Sequence, residues 1–214
     1  MGKYQATIYP PKEEKFNIIS HAIGLALSIF ALVVLIIKAN SSPNKLALTS
    51  VIVYGCSLIM LYAASTLYHS SKKLLLRNRF NILDHAAIFV LIAGTYTPFT
   101  LITLPAGIGN TIFIIVWAFA AVGVVLKLFF TGRYEKLSLA MYIGMGWLIV
   151  FAIKPLIVSL ETGGLIWLFS GGMAYSIGAF FYSRAQLNNN HAIFHVFVLI
   201  GSFCHFASVY WYVL

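Results

Sequence analysis

Five side chains could do chemistry together in this sequence. "HAIFH" places His191 and His195 four residues apart, so on a helix they share one face. "STLYH" adds His69, with Ser65 one helical turn before it, and "LDH" supplies Asp84. Three imidazoles with one open position form a catalytic zinc pattern, and Asp84 is expected to reach the metal or its water. Imidazole-rich sites commonly hold zinc, although spacing alone does not separate it from iron or manganese. No Glu lies between the paired histidines, which excludes the H-E-x-x-H metalloprotease motif.

Further polar residues surround this set. Asn17 and His21, in "EEKFNIISH", are again four apart and are expected to support the ligands from behind. His205 follows His195 by ten residues, about 15 Å along a helix, and is expected to lie outside the site in a structural or relay role. His85 points away from its neighbour Asp84, so only one of the two is expected to face the cluster. Asp84 is preferred, because a cationic centre needs an anion more than another nitrogen.

These residues must be held by elements that the composition restricts. The 214 residues are 61% hydrophobic and only 9% charged, with a mean hydropathy of +0.92. Soluble domains carry about 25% charged residues, so the chain reads as an all-α, polytopic integral membrane protein. Seven runs are long enough to cross a bilayer, at about 18–37, 46–69, 82–104, 109–130, 137–158, 164–183 and 191–213. They form one seven-helix membrane domain over residues 1–214. The breaks, among them "KANSSPNK", "SSKKLLLRNR" and "RAQLNNN", carry turn or charge chemistry. The first run is too long for a signal-peptide core and is expected to stay as a helix. The net charge of +9 is strung through short loops, a topology signal that speaks against nucleic-acid binding.

Eleven of the fourteen Lys and Arg residues fall on the side of the N-terminus: Lys3, Lys12, Lys15, Lys72, Lys73, Arg77, Arg79, Lys127, Arg133, Lys136 and Arg184. Lys38, Lys45 and Lys154 fall on the other. The N-terminus is therefore expected to be cytoplasmic and the C-terminus outside, the reverse of a G-protein-coupled receptor. On this topology Ser65, His69, Asp84, His191, His195 and His21 all reach one depth near the cytoplasmic face. Asp84 is the acid placed clearly inside a span, where a carboxylate needs a cation or donors beside it. Cys56 and Cys204 are expected to be small buried core residues. "KKLLLRNRF" is expected to anchor against anionic headgroups, Pro98 and Pro155 to kink their helices, and the small residues of "GGMAYSIG", including Gly172 and Ser176, to allow close packing within or between chains.

"EEKFNIISH", "STLYHSS", "LDHAAIFVLIAGTYTPF" and "HAIFHVFVLIGSFCHF", in this order, resemble the hemolysin III family, the bacterial members of the progestin and adipoQ receptor (PAQR) superfamily. The resemblance implies seven helices, an intracellular N-terminus and Zn2+ held near the cytoplasmic face by His69, His191 and His195, with the family's Asp and Ser at Asp84 and Ser65. The wider group is similar to alkaline ceramidases. The resulting expectation is a zinc-dependent hydrolase of a lipid-like amide or ester, working among membrane lipids as a multi-pass protein of the cell membrane. Asp84 would move the proton and Ser65 would support it. Two rivals stand beside it, a haemolytic pore-former and a metal-stabilised sensor or receptor. Homo-oligomerisation is open.

Overall fold

A computed structural model of the chain describes residues 5–184 and 186–214; Lys3 lies outside the described residues. Among those residues seven helices are long and apolar enough to cross a membrane, and no strand is present. They are α1 (Pro11–Ala39), α2 (Ala47–Ser70), α3 (Leu74–Thr103), α4 (Ala106–Phe130), α5 (Glu135–Ser159), α6 (Thr162–Ser183) and α7 (Asn190–Val213). The protein is a multi-pass, all-α membrane protein.

Two helices begin well before the apolar runs that announce them. α1 starts at Pro11 rather than near residue 18, because proline suits a first helical position and Glu13 and Glu14 in the first turn complement the exposed N–H groups. α3 starts at Leu74 rather than 82, taking in the basic segment read above as part of a break. Both extensions have one buried face. On α1 it carries Glu13, Asn17, Ser20 and His21, and on α3 it carries Arg77, Asn81 and Asp84. Leu74, Leu75 and Leu76 face outward, as a membrane anchor requires, but Arg77 turns into the bundle.

The helices divide into a core and a shell. α2, α3 and α7 bury more than half of their apolar stretch, whereas α1, α4, α5 and α6 bury a third or less and turn Leu, Ile, Val and Phe outward. Without water outside, an exposed apolar face costs nothing, and the inner face is set by packing. Pro98 has no N–H to give, and α3 widens into a π turn over Phe99–Thr103 directly after it. α5 is broken, with a 3-10 segment at Leu148–Ala152 just ahead of Pro155. Ser176 accepts a hydrogen bond from the Trp147 indole (3.0 Å), and Gly172 lies against the same ring, so this small-residue stretch packs within one chain. Cys204 is buried, but Cys56 sits on the outer face of α2 and is exposed, contrary to expectation. A thiol is apolar enough to face lipid, and burial is not needed to explain it.

Candidate metal centre

The ends of α2 and α7 bring His69, His191 and His195 together, all buried, with one ligand atom of each within 4.8 Å of the others. The closest approaches are between Nε2 atoms, at 3.1 Å for His69 to His191 and 3.0 Å for His195 to His191. What lies behind the rings fixes which nitrogens carry protons. His69 Nδ1 is 2.7 Å from Glu14 Oε2, and a carboxylate can only accept, so Nδ1 holds the proton and Nε2 offers a lone pair. His195 Nδ1 faces Ser20 Oγ at 3.3 Å, while that hydroxyl donates to the Asn17 carbonyl. Nδ1 is again the donor and Nε2 the lone pair.

His191 Nε2 therefore meets two lone pairs and has at most one proton to give. A single cation among the three nitrogens resolves the conflict. A tetrahedral site with Zn–N bonds of 2.0–2.1 Å has N···N edges of about 3.3 Å, within a few tenths of those observed. The donor set and its spacing thus fit a divalent metal. The carboxylate behind His69 is the usual partner of a metal-bound imidazole.

Glu14 is the residue that the sequence reading missed. Its carboxylate accepts from His69 on one oxygen and on the other from Arg77 and the Tyr9 backbone N–H (3.2 Å). Arg77 also donates to the carbonyl of Thr7 (2.7 Å), which the Tyr68 hydroxyl bonds as well (2.9 Å). Residues 5–10 are thereby strapped across the end of the bundle, and the Tyr9 ring stacks on His191 at 4.6 Å. Burial pushes the Tyr9 phenol up, so it stays protonated. Asp84 is therefore not the only acid to consider. The available signal was the spacing Glu14, Asn17, His21, which makes one face once α1 is extended through its charged start.

The other expected residues fall around this cluster. His21 stacks on His195, rings 3.5 Å apart and nearly parallel, and its Nδ1 lies 2.7 Å from Ser65 Oγ. Ser65 in turn interacts with Asp84. Asn17 is fully buried beside His195. Asp84, His191, His195 and His21 border one end of a largely apolar cavity of about 150 Å³ that runs between α3, α5, α6 and α7. His205 borders the same cavity away from the cluster, its Nε2 bonded to the Leu168 carbonyl at 3.1 Å. His85 also reaches the cavity, but its Nδ1 turns to Glu135, 3.7 Å away, which Lys127 neutralises at 2.7 Å. The arrangement offers three imidazole ligands, a carboxylate and a hydroxyl at one end of an apolar cavity.

Residues 9–206 match the family described as "Haemolysin-III related". The chain is 49% identical to "Hemolysin-3" of Bacillus cereus over 203 residues, 95% of this chain and 93% of that protein. It is 46% identical to "Hemolysin-3 homolog" of Bacillus subtilis, covering 94% of each. It is 28% identical to the human "Monocyte to macrophage differentiation factor" across 99% of this chain and 87% of that one.

Proposed function

The chain belongs to the haemolysin III family, and from that premise we propose that it is a zinc-dependent membrane hydrolase cleaving an amide or ester bond of a lipid-like substrate. The observation that carries this reading is the opening of the three-histidine cluster, beside Asp84, onto an apolar cavity within the bundle. His69, His191 and His195 would hold the metal, which when bound supplies Lewis acidity to water and carbonyl. Asp84 accepts a proton from the attacking water and returns it to the leaving nitrogen or oxygen. Ser65 keeps the carboxylate aimed through a hydrogen bond, and His21 fixes Ser65 from the other side. The cavity takes an acyl chain in from the side and excludes bulk water. The basic residues at this end of the bundle favour a cytoplasmic site in the cell membrane.

The test pairs elemental analysis with turnover. Purified wild type should carry one zinc per chain and release fatty acid from a panel of N-acyl and ester lipids. Asp84→Asn should keep the metal and lose the release. Metal-free wild type, or release that survives Asp84→Asn, overturns the reading.

A second reading, membrane lysis, is favoured by the names of the two bacterial relatives. Dye release from liposomes that persists in His191→Ala would support lysis against hydrolysis.

A further inference from the structure

We propose that a file of water molecules runs along one face of α1, from a polar cleft at the end of the bundle to the cavity beside the histidine cluster, and supplies the water that hydrolysis consumes. Its purpose rests on the hydrolase reading; its existence does not.

Glu13, Asn17 and His21 recur every four residues and so stack on one helical face. Their relative exposures are 6%, 0% and 3%. Nine buried side-chain atoms among the described residues have no hydrogen-bond partner, and four of them lie in this one column: Glu13 Oε1, Asn17 Oδ1, Asn17 Nδ2 and His21 Nε2. A buried polar atom left unpaired costs roughly 1–3 kcal/mol. Four in a row make a line of donors and acceptors, which is the setting that ordered water fills. Each step along the helix rises about 6 Å, and one water bridging two polar atoms at about 2.8–3.0 Å spans nearly that distance.

The two ends of the column open where a water route must. Glu13 lines a cleft with Thr7, Tyr9, Asn188, Asn189 and Asn190, outside the apolar part of the bundle. His21 lines the reaction cavity with Asp84 and His195. The direct way in is shut, because Tyr9 is stacked over His191 and the strap is fastened by Arg77 and Tyr68. The remaining cavity wall is mostly apolar, its polar stretch away from the cluster being His85 with Glu135, which Lys127 pairs. Every turnover consumes one water, and the α1 column, with its four unpartnered polar atoms, is a path suited to deliver it.

Thiol accessibility tests the column without any substrate. In a Cys56→Ala, Cys204→Ala background held in lipid nanodiscs, Asn17→Cys is exposed to aqueous Ag⁺ and its remaining free thiol is counted after unfolding. Ala87→Cys, at a buried apolar position outside the cavity lining, is the dry control. The Asn17→Cys thiol should react at least about tenfold faster than the control, since thiol reactivity follows access to water. Equal, slow rates would overturn the proposal. A high-resolution map of the wild-type protein gives a second readout that needs no variant to fold. Ordered water on the Asn17 amide is expected, and an amide enclosed by apolar atoms alone would overturn the column. Neither readout involves turnover. A hydrated column in a protein that hydrolyses nothing leaves the column standing and retires the hydrolase, and the converse retires the column alone.

Discussion

The two ends of α7 carry the same side chain in opposite circumstances. In its first turns, His191 and His195 point Nε2 at each other and at His69. Ten residues past His195, His205 points Nε2 at a backbone carbonyl of α6. A carbonyl accepts only, so His205 donates its N–H there as a neutral imidazole, and its Nδ1 is left without a partner. At the other end, Glu14 and Ser20 take the N–H groups of His69 and His195 from behind and leave lone pairs in front. His191 and His205 both leave Nδ1 without a partner, so what separates them is what faces Nε2: two imidazole nitrogens for His191, a backbone carbonyl for His205. The imidazole itself is the same.

The contrast breaks first at the ligands. His191→Ala should lower bound metal by at least about two orders of magnitude in affinity, beyond the range seen for outer-shell changes, whereas His205→Ala should leave the metal stoichiometric. Elemental analysis of the two variants side by side decides this. Equal losses would mean that His205 belongs to the same site. The part-buried ion pair behind His69 comes next. Arg77→Met leaves the part-buried Glu14 carboxylate without its cation and should cost roughly 1.5–3 kcal/mol, seen as a fall in the unfolding temperature of the detergent-solubilised protein.

Glu14→Gln keeps size and packing while removing the negative charge that accepts the His69 Nδ1 proton. Metal affinity should drop about tenfold to a hundredfold, measured by competition with a zinc indicator. An unchanged affinity would show that the carboxylate is a fastening for the strap and nothing more. The smallest effect belongs to the strut. Gly171 has no room for a Cβ, which would run into the His205 ring. Gly171→Ala should therefore cost about 1–3 kcal/mol through overpacking, with metal content unchanged. Loss of metal in this variant would tie the two ends of α7 together and remove the distinction between them.

Much of this was legible in the order of residues. Runs of some 20 apolar residues announce spans because a bilayer of fixed thickness leaves the chain no alternative. His69, His191 and His195 stood out because ionisable groups inside such runs are costly and need a reason. The same rule hid Glu14 and Arg77. Both lie in charged stretches at helix starts, where hydropathy falls and a loop is the default reading, yet α1 and α3 continue through them with one face turned inward. Cys56 was misread for a related reason: in lipid an apolar residue is as content outside as inside, so apolarity does not report burial. His85 and Asp84, adjacent in sequence, both reach the cavity, because α3 has neighbours on more than one side.

The sequence by itself determined the number of spans and which histidines could act as ligands, since both follow from the price of polarity in a hydrocarbon layer. Only the tertiary structure decided which nitrogen of each ring is free, that Glu14 and Arg77 stand behind His69, and that Glu13, Asn17 and His21 line up with nothing to bond. Those outcomes depend on which face of one helix meets which face of another. Between spans that are apolar all round, periodicity does not encode that choice, and close packing does.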